Sequence, residues 1–299
     1  MGAGVRSLRA TSLAVRDRAP YAGLGTWVDG FDFGPAYQAG GAPPPVTPAV
    51  IDDMVAHGVK TLFLQAARED TRSPGGLVDG VLVGSLLLRA HAAGMKVVAW
   101  YLPRFRDPAV DVRNLVGLAR FEVLGHRFDG VAVDIEFTDD VPDVAERNVR
   151  LVELSRTVRA QMGSDVLGAI VLPPVLTEVV NPAFWPEFPY HEISSLYDVW
   201  LPMSYWSFRK ESSGYKDGFT YNEESTRRLR ADLGVPSAVV HGIGGIGDAI
   251  TAEDLDRFAQ SLVATGAVGG SIYDWSSMTP AIRDALTARF PAGALPAPG

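Results

Sequence analysis

From residue 23 onward, short apolar runs alternate with longer stretches whose apolar positions recur at helical spacing, and Gly and Pro separate the two. The runs predict strands at Leu24–Val28, Thr61–Gln65, Lys96–Tyr101, Gly130–Glu136, Leu167–Val171, Val199–Tyr205, Ala238–Ile243 and Gly269–Asp274. Helices are expected between them, at Pro48–His57, Val83–Ala93, Val110–Leu124, Pro142–Met162, Glu223–Leu233, Thr251–Thr265 and Pro280–Phe290. Thr47-Pro48 reads as a cap followed by a first-turn proline, and Thr251-x-x-Asp254 as a capping box with Asp in place of Glu. Gly58, Gly94 and Gly266 mark helix ends.

Eight strands alternating with helices predict an α/β fold, a single-domain (βα)8 TIM barrel over residues 23–290. Residues 1–22 are expected to form an N-terminal extension, and the Pro/Ala/Gly-rich residues 291–299 a flexible tail. Pro173–Leu196, crowded with aromatics and prolines, is expected to be a long loop with short helical pieces. In the competing doubly wound sheet a phosphate loop would be needed. Gly242, Gly244 and Gly247 match G-x-G-x-x-G, but they follow a late strand, and no acidic residue ends a following strand at the distance a ribose needs. No dinucleotide or other cofactor is therefore expected. These glycines are expected to let the backbone pass close to a ligand or turn sharply.

The net charge of −8 gives no basic footprint for nucleic acid or an anionic membrane surface, and no apolar run reaches membrane-spanning length. Without cysteine there are no disulfides or thiolate metal sites, and either redox compartment is compatible. The first 20 residues carry arginines but no signal-like apolar core, so the chain is expected to be cytoplasmic, or secreted after loss of an original leader. Oligomeric state is not encoded in any pattern of this kind.

In a (βα)8 barrel the site lies at the C-terminal strand ends. Those ends offer Asp29, Gln65, Trp100, Asp134, Glu136, Met203, Tyr205, Trp206, His241, Asp274 and Trp275. Asp134 and Glu136 are two positions apart on one strand, so both side chains point to the same side. Two acids ending an apolar strand are costly to bury unless something uses or pairs them. A close carboxylate pair is the equipment of acid-catalysed glycoside hydrolysis. Aromatic faces suit sugar rings, and carboxylates and amides suit hydroxyls, so a glycan partner is expected. Each residue also has a structural reading. Asp134 and Glu136 could pair with Arg104 or Arg209, the tryptophans could plug the barrel mouth, and His241 could be an interior histidine. Gln65 could satisfy backbone, and Asp29 could cap a turn.

The segment Asp129-Gly130-Val131-Ala132-Val133-Asp134-Ile135-Glu136 resembles the strand-four signature of glycoside hydrolase family 18, the chitinase-like barrels, D-G-x-D-x-D-x-E. Met203-Ser204-Tyr205 resembles that family's strand-six M-x-Y segment, and Gly269–Trp275 its strand-eight segment ending in Trp. The resemblance implies that Glu136 is the general acid and that Asp134 orients a substrate acetamido group which attacks the anomeric carbon. It also implies that Tyr205 hydrogen-bonds that group and that Trp275 floors the sugar subsite. Ala132 stands at the family's middle Asp, and Trp206 where Asp is common. A second resemblance is to glycoside hydrolase family 25, the lysozyme-type muramidases, whose acids would fall on Asp29, Asp134, Glu136 and Asp274. The chain is thus expected to lie among divergent barrels related to these families. Its expected function is cleavage of an N-acetylated β-linked glycan, chitin-like or peptidoglycan. The alternatives are a carbohydrate-binding barrel that has lost catalysis, motivated by Ala132 and Trp206, and a metal-dependent hydrolase using Asp134, Glu136 and His241.

Overall fold

The computed structural model describes residues 16–290. Eight parallel strands close into a barrel in chain order: β1 (Gly23–Val28), β2 (Thr61–Gln65), β3 (Lys96–Tyr101), β4 (Gly130–Ile135), β5 (Leu167–Val171), β6 (Val199–Ser204), β7 (His241–Ile246) and β8 (Gly269–Tyr273). β8 returns to β1 through the pairs Gly23↔Gly269 to Thr26↔Ile272. The strands are buried along almost their whole length, as expected where helices cover the outside and side chains fill the inside.

Helices Gly80–Ala92, Pro108–Arg120, Val144–Met162 and Gly218–Asp232 each start on an Asp whose side chain accepts from backbone N–H groups of the first turn. Thr251 and Asp254 form the expected reciprocal capping box. The expected Thr47 cap is not made. That helix runs Val50–Ala56, its N-cap position is Ala49, and Thr47 contributes only its backbone carbonyl, to the Val50 N–H. The helix after β3 ends at Arg120 instead of Leu124, because Glu122–Val123 and His126–Arg127 pair as a small antiparallel hairpin. Pro173–Leu196 contains two short helical pieces, Val175–Val180 and Tyr190–Ile193. Trp185 anchors this segment: it is buried, donates to Asn148 Oδ1 at 2.7 Å, and lies under the Arg147 guanidinium.

The lower barrel interior is filled by aromatics facing glycines. Phe63 stacks on Trp27 at 4.4 Å and meets the His241 ring edge-on at 5.0 Å. A Cβ on Gly25 would lie 2.5 Å from Phe63, and one on Gly269 would lie 2.2 Å from His241 Nδ1. Only glycine leaves the room these rings occupy. The last residues of the expected extension form the floor. Ala19–Tyr21 makes a turn, Tyr21 Oη donates to the Val131 carbonyl (2.8 Å), and Thr61 Oγ1 donates to the Pro20 carbonyl (2.9 Å). The expected tail, 291–299, lies outside the described residues. No helix among the described residues is long and apolar enough to cross a membrane.

Candidate active site

At the C-terminal ends of the strands lies a cleft of about 510 Å³. Asp134, one residue before the end of β4, and Glu136, just past it, both line the cleft. Asp134 is 6% exposed, and its Oδ1 has no hydrogen-bond partner among the described residues. Neither carboxylate has an ion-pair partner there: Arg104 pairs with Asp140, and Arg209 lies over Tyr221. Burial pushes the Asp134 carboxyl well above the usual range, and the charge of Glu136 pushes it further. Burial likewise raises Glu136. Tyr205, just after β6, lines the same cleft, and its phenol is raised by burial and then by Glu136 and Asp134. The phenol therefore stays a hydrogen-bond donor throughout the working pH range.

Four further expected residues line the cleft with these, and a fifth lies beside it. Trp100 and Met203 line the cleft wall, and the Trp100 indole N–H is without a partner among the described residues. Asp29 lines the cleft from β1 while its carboxylate accepts from the Phe31 and Asp32 N–H groups and from Tyr273 Oη at 2.8 Å. Gln65 Oε1 accepts from the Gly30 N–H at 2.9 Å, so it fixes the turn that carries Asp29. Asp274 sits beside Asp29 and Asp32, with the three carboxylates within 4.8 Å of one another. It does not line the cleft, because Ser276 Oγ and the Ser277 N–H hold its Oδ1.

The structure moves three expected residues away from the cleft. β7 begins at His241 instead of Ala238, so His241 lies at the opposite end of the barrel from the strand termini. It is fully buried between the Tyr21 carbonyl (2.8 Å) and Ser271 Oγ (2.9 Å), and burial lowers its pKa to about 4. The trio of Asp134, Glu136 and His241 is therefore not assembled into a metal site. Trp206 follows Tyr205, whose backbone has left the extended region (φ −76°, ψ 70°), so the strand's alternation is broken and the indole turns outward against Phe258. The glycines of β7 serve this ring: a Cβ on Gly244 would lie 2.5 Å from it. The close approach expected for a ligand is thus made by a tryptophan. Trp275 is buried outside the barrel, between the Arg283 guanidinium and His57.

Trp27 and Tyr273, aromatics outside the expected site set, also line the cleft. Both lie at strand ends. Tyr273 is followed by an acid and an indole that draw the eye in the sequence, but β8 ends at Tyr273 and it is Tyr273 that lines the cleft.

No protein-family model matches the sequence, and no curated protein is significantly similar to it. Solved structures do match the fold. A class V chitinase from Pseudomonas fluorescens Pf-5 superposes with a TM-score of 0.62 at 9% identity, covering 90% of this chain and 100% of that one. The catalytic domain of psychrophilic chitinase B from Arthrobacter TAD20 gives 0.62 at 10% identity, covering 94% and 97%. The spore cortex-lytic enzyme SleL of Bacillus megaterium QM B1551 gives 0.57 at 9% identity, covering 90% and 74%. The chain shares its (βα)8 barrel fold with these two chitinases and with SleL, at 9–10% sequence identity. At such identities the likeness carries the fold, and the chemistry has to be argued from the cleft.

Proposed function

We propose that this protein is a glycoside hydrolase that cleaves an N-acetylated β-linked glycan, with Glu136 as the general acid. The observation that carries this is the Asp134–Glu136 pair, held in a largely apolar cleft with no ion-pair partner among the described residues and shifted toward its protonated form. A carboxyl whose pKa is raised holds its proton to higher pH than a free acid and can deliver it to a glycosidic oxygen. The other cleft carboxylate, Asp29, is engaged by two backbone N–H groups and Tyr273. Substrate-assisted hydrolysis needs no further nucleophile. The acetamido carbonyl attacks the anomeric carbon as the glycosidic C–O bond breaks and Glu136 protonates the leaving oxygen; water, deprotonated by Glu136, then opens the cyclic intermediate and restores the acetamide. Asp134 and the Tyr205 hydroxyl orient that acetamido group, and Trp27, Trp100 and Tyr273 offer apolar faces to the sugar rings.

The test is reducing-end release from soluble N-acetylglucosamine polymers and from peptidoglycan. Glu136→Gln is expected to lower turnover by about 10²- to 10⁴-fold, the range of a lost general acid. Equal turnover in wild type and variant overturns the assignment. Ala132, fully buried two residues before Asp134, leaves β4 with a pair of inward acids and no third. It is the observation that favours a second reading, a barrel that binds glycan without cleaving it. Glycan binding by calorimetry with no product over long incubation would select that reading.

A further inference from the structure

A second cavity, of about 530 Å³, adjoins the cleft, and the two share Arg68 as a common wall. In a chain of net charge −8 this cavity is lined by four arginines, Arg68, Arg104, Arg106 and Arg113, against two acids, Glu69 and Asp70. The arginines are not equivalent. Arg104 is taken up by Asp140, and Arg106 by Glu69 at 3.0 Å and by Asp140. Asp70 is claimed by Arg72 through a two-pronged contact at 2.9 and 2.7 Å, which leaves Arg68 only a long 3.8 Å approach to it. The Arg68 guanidinium lies instead over the Phe31 ring at 4.4 Å and near Tyr37 at 5.7 Å. A guanidinium seated over a ring keeps its N–H donors and loses some of its freedom. Arg113 is exposed and makes no ion pair or side-chain hydrogen bond among the described residues. It stands on helix Pro108–Arg120, one turn from Val110 and next to Asn114.

We infer that this cavity is a subsite for a carboxylate carried on the glycan, so that the substrate is an acidic N-acetylated glycan and not a neutral one. Arg68 would meet the substituent where it leaves the sugar in the cleft, and Arg113 would meet it further out. Planar guanidinium forks match carboxylates, and a rotationally restrained fork gives up less entropy on binding them. The inference rests on the proposed glycan site for its position, but not on catalysis.

It is tested by binding, with Glu136→Gln protein so that no ligand is consumed. Calorimetry compares a neutral N-acetylglucosamine tetramer with a tetramer of equal length whose alternate sugars carry a free lactyl carboxylate. The acidic tetramer is expected to bind about tenfold tighter or more, with an advantage that shrinks as salt rises. Arg113→Gln and Arg68→Gln, each checked for unchanged melting temperature, are expected to remove most of that advantage; Arg68→Lys, which keeps charge without the flat fork, should restore part of it. Equal affinity for the two tetramers, or a preference that survives both Gln substitutions, overturns the inference. So does a tetramer bearing a phosphomonoester that binds tighter than the carboxylate, which would make the cavity a phosphate site. The proposed function fails separately, through absent turnover or an inert Glu136→Gln substitution.

Discussion

Asp134 and Glu136 share one region of low polarity, and their protons belong to the pair. While both are present, the second ionisation is opposed by burial and by the charge already formed. Asp134→Asn removes that charge but keeps the shape. The expected outcome is a fall in kcat together with an alkaline limb of the pH–rate profile that moves to lower pH, because the pair's second, opposed ionisation is gone and Glu136 titrates alone. A profile that keeps its alkaline limb in place would show that the two groups do not titrate together. Asp32 gives a second residue-scale test, this one of stability. Burial, then the charges of Asp29 and Asp274, raise it to about 7. An acid raised on folding stabilises most below its unfolded pKa, near 4, and that contribution is lost as pH rises toward 7. Asp32→Asn removes the loss. The variant's melting temperature relative to wild type is therefore expected to climb between pH 4 and pH 7, and a difference independent of pH would contradict the shift.

Among the elements, the glycines of β7 and β8 carry the heaviest packing constraint. Gly269 faces His241 Nδ1 at 2.2 Å and the Tyr21 carbonyl at 2.5 Å from where a Cβ would sit. The second neighbour is backbone and has no flexible end to move. Gly269→Ala is expected to destabilise by about 1–3 kcal/mol, as overpacking does, measured by denaturant titration. The exposed Gly117 has nothing within 4 Å and sits inside a helix, so Gly117→Ala serves as the neutral-to-stabilising control. The same glycines explain what the sequence left hidden. Apolar, β-branched runs such as those of β2 and β4 announce themselves, and the acids ending β4 announce a site. The run from His241 to Ile246 looks like a turn because glycine is a poor strand former, and its strand character comes from pairing with β6 and β8, with its glycines leaving room for Trp206, Phe258 and Leu262. Misplacing β7 by three residues put His241 at the wrong end of the barrel. Trp206 and Trp275 escape the pattern for a related reason: each lies two residues past a strand end, where two-residue alternation no longer says which way a side chain points.

For the whole molecule, the working face collects the acid pair, the aromatic walls and the arginine-lined cavity on one rim, whereas the opposite rim is closed by tight packing and hydrogen bonds. That division suits a scaffold whose chemistry can drift while its base stays constant. Overall chain order, strand count and the β4 acids were legible because they depend on local pattern. The shared Arg68 wall was not, since it joins a loop after β2 to a helix after β3, and only closure of the barrel brings those together.

The turn Ala19–Tyr21 has one more implication. With its phenol fastened to β4, its main chain to His241 of β7, and Pro20 to β2, it works as a stopper that ties non-adjacent staves together from below. A recombinant fragment cut to start at the first strand would keep every stave and lose the bung. Any trimmed or grafted version of this barrel must take its starting boundary upstream of Ala19.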